Sequence, residues 1–301
     1  MFRRICLIFA IALLVANGVR AAGVPRFNHV VIVILENHSP GDIYGSASAP
    51  YLNGTLIPAG AVFTNASTPP GMHPSQPNYI ALFTGDNWGI TSDTCPVALS
   101  ASNLAHQLVA AGLSFAQYSE DLPGIGDTSC TSGLYVRKHN PTSDFAALPI
   151  TMNLPYSQFT TDLNSASLPT VSFVVPNLCH DMEGSGFSLE CPAFSTNLVS
   201  LSDTWLSNNL PAFLASNAAR NGLLIVTWDE GSGSISPSDS IPMIFAGAHV
   251  QHGFSSGVAV THYSVLRTIE DMYGLTPLAN AANASPIIDV WDDVIFADTF
   301  E

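Results

Sequence analysis

Three apolar runs in this chain end abruptly in ionisable residues. HVVIVIL (29–35) runs into Glu36-Asn37-His38, TVSFVV (170–175) into Pro176-Asn177-Leu178-Cys179-His180-Asp181, and LLIVTW (223–228) into Asp229-Glu230-Gly231. Glu36, the amide oxygen of Asn37, Asp229 and Glu230 form an all-oxygen donor set of the kind hard divalent cations take. One such break is ordinary strand-end chemistry, with polar residues capping the next helix. Three on one edge would assemble a pocket rich in carboxylate and imidazole, and the full set favours a metal site. A fourth stretch, HPSQPNY (73–79), sets Ser75 between two prolines at the head of an apolar run. Serine there is commonly a helix cap. Beside a cation its hydroxyl pKa falls and the same ion can hold a phosphoryl or acyl oxygen, which makes it a nucleophile. Pro77 suits a first helical turn, so Ser75 is expected at or just before the amino end of a helix, where the dipole and free amides favour an anion.

The chain has nine histidines. His180 and His262 adjoin the ends of expected elements and are best placed to reach the pocket. His73 is balanced between local turn bonding and the site. His139 lies in Arg137-Lys138-His139, the only basic cluster after residue 22, which reads equally as an anion contact or a solvated loop. His29, His106, His249 and His252 receive no role.

These groups need a sheet to position them. The β-branched, near-continuous apolar runs 29–35, 170–175, 223–228 and 241–246 fit strands buried on both faces, with shorter candidates at 61–65 and 113–118. Helical stretches are expected at 103–111, 203–217 and 263–273, the last capped by Thr261 and stopped by Gly274 and Pro277. Strands alternating with helices predict an α/β layered fold with a largely parallel sheet, whose ligands bind at the carboxyl ends of the strands. Residues 121–168, rich in Gly, Pro, Ser, Thr and Asn, are expected to be loops available for substrate contact.

Residues 1–22 read as a secretory signal peptide: MFRR, an apolar stretch from Ile5 to Ala16, and a small-residue cleavage site at Val19-Arg20-Ala21. Residues 23–301 are then expected to form a single domain, secreted or periplasmic, with no stable membrane anchor. That remainder holds five Lys and Arg against 23 Asp and Glu, a formal charge of −18. Such a surface excludes nucleic acid as a partner and is repelled by anionic membranes. Cys6 goes with the signal. The remaining Cys95, Cys130, Cys179 and Cys191 allow three disulfide connectivities, of which the sequence-local Cys95–Cys130 and Cys179–Cys191 is favoured. Sequons at Asn37, Asn53, Asn65 and Asn283 are weak signals, and the first has a better use among the metal-ligand candidates.

Taken in order, ENHS, HPSQPNYIALFTG, SEDLP, GLYVRKHNP, PTVSFVVPNLCHDM, LLIVTWDE and THYSVLRTIEDMYGL make the chain resemble, from about His29 to Gly274, the bacterial secreted acid phosphatase and phospholipase C phosphoesterase family. That family lies in the alkaline-phosphatase-like superfamily, and the likeness is greatest to its compact acid phosphatases, some of which act on phosphoinositide monophosphates. The resemblance implies a three-layer α/β/α sandwich, one divalent metal ion of unspecified identity, and a serine phosphorylated in turnover. It matches Ser75 to the nucleophile and Glu36, Asn37, Asp229 and Glu230, completed by Ser75, to the metal ligands. His180, Asp181 and His262 match positions lining the phosphate, where acidic pH would favour imidazolium on His180 and His262. Asn78, Lys138 and His139 are weaker candidates for phosphate contact. The chain departs from the family at Glu183, where histidine is frequent and a carboxylate would repel phosphate unless protonated or metal-bound, and at Gly231-Ser232-Gly233, where further acidic residues are frequent.

The activity this implies is metal-dependent hydrolysis of a phosphate monoester, on a small phosphorylated substrate or a phospholipid headgroup. The alternatives are a phospholipase C-type phosphodiesterase on the same fold and a non-catalytic, metal-dependent anion-binding protein. A carboxylester hydrolase is disfavoured because the chain has no Gly-x-Ser-x-Gly elbow.

Overall fold

A computed structural model describes residues 23–184, 191, 197–233 and 239–292. The expected signal peptide and the tail IFADTFE lie outside these described residues. The sheet has eight strands: β1 (His29–Leu35), β2 (Gly60–Phe63), β3 (Phe115–Ser119), β4 (Asn153–Pro155), β5 (Val171–Val175), β6 (Gly222–Trp228), β7 (Met243–Gly247) and β8 (Phe254–Ser256), in the order β8-β2-β7-β6-β1-β5-β3-β4. All pairs are parallel except those of β7, which runs antiparallel to both β6 and β2. Successive strand residues face opposite sides of a sheet. Because every residue of β5 and β6 is buried, both faces are covered, which is why these strands read as unbroken apolar runs.

The longer helices are α1 (Ser75–Thr84), α2 (Leu104–Ala110), α3 (Tyr156–Asn164), α4 (Leu198–Leu214) and α5 (His262–Tyr273). Thr261 caps α5 and Gly274 ends it at φ +67°, a conformation glycine adopts without steric cost. Asn103 caps α2 through the amide of His106. The helix expected at 203–217 begins earlier, at Leu198, and closes at Leu214 with Pro211 inside its last turn. The expectation of loops across 121–168 is corrected at β4 and α3. Tyr156-Ser-Gln-Phe-Thr-Thr-Asp-Leu-Asn has few strong helix formers, but Tyr156, Phe159 and Leu163 recur at helical spacing and turn one apolar stripe inward. Phe159 lies edge-on to Tyr118 and stacked on Tyr156. Tertiary burial overrides weak propensity here.

Both favoured disulfides, Cys95–Cys130 and Cys179–Cys191, are formed. Among the described residues no helix is long and apolar enough to cross a membrane.

The main core runs from Val24 to Trp291, and a small second cluster gathers Cys179, Cys191 and Leu198. Helix α1, buried along its whole length, is fastened to the sheet by Phe83, whose ring meets Phe115, Phe145 and Phe173 at centroid separations of 5.2, 5.6 and 5.7 Å. Phe83→Ala should therefore lower unfolding free energy by about 3–5 kcal/mol, measured by urea denaturation. A loss under about 1 kcal/mol would show that this ring cluster does not anchor α1.

Candidate active site

Register brings the acidic residues together. Leu35 of β1 lies level with Trp228 of β6, so Glu36 and Asp229 leave the sheet side by side, with the Asp229 amide donating to the Leu35 carbonyl at 2.9 Å. The Glu36 amide donates to the Asp181 carbonyl at 2.7 Å, drawing in the chain that follows β5. Asn37 takes φ +55°, a left-handed conformation that asparagine tolerates better than most residues. Its amide reaches Asp229 Oδ1 at 3.1 Å, and the Glu230 amide meets the same oxygen at 2.6 Å.

Helix α1 brings up the serine. Pro74 is the N-cap, so Ser75 is the first helical residue and makes no cap bond. Its hydroxyl instead donates to Glu36 Oε2 at 2.9 Å. Tyr79, one turn on, donates to Glu36 Oε1 at 2.6 Å. Of the amides expected to be free at this helix end, that of Gln76 already donates to Asp93 Oδ1 at 3.1 Å, and Pro77 has no N–H. Asn37 also differs from expectation, because its Nδ2 rather than its amide oxygen faces Glu36 Oε2, at 3.1 Å.

His139 closes the other side. Its Nε2 lies 3.1 Å from Glu36 Oε1 and 3.3 Å from Glu183 Oε2, its Nδ1 lies 3.3 Å from Asp181 Oδ2, and its ring stacks on Tyr79. Lys138 Nζ spans Glu183 Oε1 at 2.6 Å and Asp93 Oδ2 at 3.2 Å. Met182, at φ +84°, sits between Asp181 and Glu183, a strained backbone for a side chain of its size.

Charge crowding sets the protonation of this cluster. Burial, then the charges of Asp229, Glu183 and Asp181, push the Glu36 pKa well above the usual carboxylate range. Burial raises Asp229, and burial with the Asp229 charge lifts Glu230 to about 9. Burial raises Asp181 to about 6, offset in part by His139. Burial alone would lower His139, but the Asp181 and Glu183 carboxylates overrule it and push it up to about 9. Burial would likewise raise Glu183, yet His139 and Lys138 hold it down at about 2. Glu183 is thus an ionised carboxylate with two cationic partners, which answers the concern that it would stand as a bare charge against phosphate.

Some expected residues bond elsewhere. His180 Nδ1 lies 2.9 Å from Glu120 Oε2, and its ring lies along Trp205. His262 Nε2 donates to the Trp228 carbonyl at 2.9 Å, which leaves Nδ1 unprotonated and buried without a partner. Burial lowers its pKa to about 4, so the expectation of an imidazolium there in mild acid is corrected to a neutral ring. Asn78 Nδ2 donates to the Met72 carbonyl at 3.1 Å and reaches Glu230 Oε2 at 3.4 Å, while its Oδ1 has no donor. His73 is part of the site's surroundings, bridging Glu230 Oε2 at 3.0 Å and Asp239 Oδ2 at 2.6 Å.

Sequence reasoning missed Tyr79, Asp93, Glu120 and Asp239. Tyr79 carried a usable signal, since it lies four residues after Ser75 and so on the same helix face. The other three sit in segments whose contacts only folding sets.

The cluster fits a metal ion. Asp229 Oδ2 is buried with no hydrogen-bond donor, and Glu36, His139 and Glu183 each offer a ligand atom within 4.8 Å of the others. Buried carboxylates repelling one another are the environment a hard cation relieves. Glu36 is common to this triad and to the set expected from sequence.

The fold is alkaline-phosphatase-like, and the chain's relatives make it a hydrolase of phosphoric monoesters. The chain belongs to the Phosphoesterase family, which matches residues 59–276. It is 42% identical over 277 residues to the phosphatidylinositol-3-phosphatase of Mycobacterium tuberculosis, covering 92% of this chain and 87% of that protein. It is 29% identical to the phosphate-repressible acid phosphatase of Penicillium chrysogenum, over 68% of this chain and 50% of that longer protein. Among solved structures, the phosphonate monoester hydrolase of Agrobacterium radiobacter superposes with a TM-score of 0.55 at 15% identity, over 89% of this chain and 79% of its own. An alkaline phosphatase superfamily protein from Vibrio parahaemolyticus gives 0.58 at 13%, over 89% and 72%. At these identities the two structures speak for the fold alone.

The raised pKa values make stability depend on pH. With Glu230 and His139 both at about 9 when folded, the native chain binds more protons than the unfolded chain between roughly pH 4.5 and 9. Their contribution is present below the unfolded values and is lost as pH rises through about 9. The melting temperature of chelator-treated protein should fall from mildly acidic to mildly alkaline pH, and Glu230→Gln should flatten that fall. Added divalent cation should raise it most at the alkaline end, where protons compete least. A melting temperature blind to both pH and cation would refute this account of the cluster.

Proposed function

We propose that the chain is an exported, metal-dependent acid phosphatase that hydrolyses phosphate monoesters through a phosphoserine at Ser75, with phosphatidylinositol 3-phosphate among its substrates. The observation that carries this reading is the Ser75 hydroxyl, first in a buried helix and donating to Glu36 in the most acidic corner of the fold. The relatives' phosphatase activities support the substrate class, and the two disulfides fit an oxidising compartment.

Glu36, Asp229 and Glu230, with Asn37 and Ser75, would hold one divalent cation. When bound, it neutralises these carboxylates and polarises a phosphoryl oxygen. The Glu36 carboxylate, which the cation would hold ionised, takes the Ser75 proton at Oε2 as Oγ attacks phosphorus. The bond from phosphorus to the alcohol oxygen breaks, and the alcohol leaves with a proton from a nearby acid, for which His180, held at Nδ1 by Glu120, is the candidate. Water then attacks phosphorus and gives a proton back to that acid, the Oγ–phosphorus bond breaks, and Glu36 returns its proton to Oγ, so that phosphate is released and the serine hydroxyl is regenerated. Asp181 and Tyr79 hold His139 and Glu36 in place, and Lys138, His139 and Asn78 are the phosphate-side groups. His262, neutral, can accept but not donate at Nδ1. An acid optimum follows from the substrate as well: a phosphate monoester loses its second proton near pH 6, so in mild acid it brings less negative charge to an acidic site.

Ser75→Ala should reduce turnover at least about 10³-fold while circular dichroism remains native. Acid-quenched wild-type reactions should yield a phosphorylated Ser75 peptide by mass spectrometry, and chelation should abolish activity until a divalent cation is restored. Near-normal hydrolysis by a folded Ser75→Ala protein would remove Ser75 as nucleophile. A monoester and its matching diester assayed side by side separate this reading from a phospholipase C-type activity.

A further inference from the structure

The supply of positive charge decides what else a substrate can carry. Of eight Lys and Arg, three lie in the first 22 residues, and the other five are all described. Arg26 packs over the Tyr273 ring at 5.2 Å. Arg220 sits in the turn that leads into β6, at the amino edge of the sheet opposite the site. Arg267 bonds Asp271 and the carbonyls of Ala282 and Ala284. Arg137 is buried and committed to Ser143, Thr128 and Val97. Only Lys138 reaches the site, and it is shared between Asp93 and Glu183.

Exposure ranks these groups from floor to opening. Glu36 and Asp181 are fully buried, whereas the Lys138, Glu183 and Asp93 side chains are 19%, 24% and 31% exposed. A cation held by the inner carboxylates would serve the transferred phosphoryl group. Any second phosphate on the same substrate would have to lie outward, against one lysine already matched by two carboxylates.

We propose that this enzyme selects substrates by charge, taking phosphomonoesters whose alcohol carries at most one further negative charge and turning away polyphosphorylated ones, with the Asp93–Lys138–Glu183 bridge as the discriminating element. The proposal rests on the phosphomonoesterase reading and adds the substrate class to it. Glycerol phosphate and phosphatidylinositol 3-phosphate fall inside that class, and nucleoside triphosphates and inositol polyphosphates fall outside it.

The test compares kcat/KM of the metal-loaded enzyme for glycerol phosphate, a nucleoside triphosphate and inositol hexakisphosphate, each at low and high salt. Glycerol phosphate should lead by about tenfold or more at low salt, and the polyanions should gain as salt screens their repulsion. Asp93→Asn keeps an oxygen for the Gln76 amide while removing the charge, and should narrow the ratio about threefold. Polyanions that match the monoester at low salt and lose rate as salt rises would overturn the proposal, as would an unchanged ratio in folded Asp93→Asn. The salt response needs no variant, so a misfolded mutant does not shelter the proposal. No turnover of glycerol phosphate by metal-loaded wild type is a different failure, which removes the phosphatase reading and the selectivity with it.

Discussion

Buried like charge is the constraint on which the rest of this structure depends. Glu36, Asp181 and Asp229 are held almost wholly away from water within one small volume, and Glu230 adjoins them. Carboxylates in that setting are unfavourable unless protonated, paired or bound to a cation. The protein uses the first two means within its own chain. Raised pKa values keep protons on Glu36 and Glu230, and His139 stands as a cation among Glu36, Asp181 and Glu183. The tension that remains is what makes the cluster fit a metal ion, and the Ser75 hydroxyl is placed directly against it.

The fold is an apparatus for holding that tension. Parallel register puts the ends of β1 and β6 level, and backbone amides of Asn37 and Glu230 both converge on Asp229 Oδ1. Ser75 arrives on a helix fixed by aromatic packing rather than by a cap. Away from the carboxylate cluster, Ser232 bonds Ser39 and Asp42, tying the segment after Asp229-Glu230 to the one after Glu36-Asn37. The Gly-Ser-Gly departure from the family pattern therefore holds the two acidic loops together by hydroxyl bonds, where more acidic residues would have added repulsion.

Glu183 shows how context changes the meaning of a substitution. In sequence it reads as a repulsive charge where histidine is frequent in the family. In the structure it pairs with His139 and Lys138, and with Asp93 on the same lysine the second half of the site is balanced rather than cationic. That balance moves the question from whether phosphate can approach to which phosphate esters can.

Much of this was legible in the residues alone. Unbroken β-branched runs determined a buried parallel sheet, and their abrupt ends in Glu36, Asp181, Asp229 and Glu230 determined where chemistry would collect, because strand-end side chains at one edge must share a pocket. Helix α3 was not legible, since its polar residues form a helix only when Tyr118 and Trp205 are present to cover Tyr156 and Phe159. The part each histidine plays was not legible either. His139, His180 and His262 are chemically identical in the chain, yet folding surrounds the first with carboxylates, gives the second to Glu120, and seals the third against a carbonyl. The sequence by itself determined which groups are present and which edge receives them. Only the tertiary structure decided their charge and partners, because burial and distances between residues far apart in the chain set both.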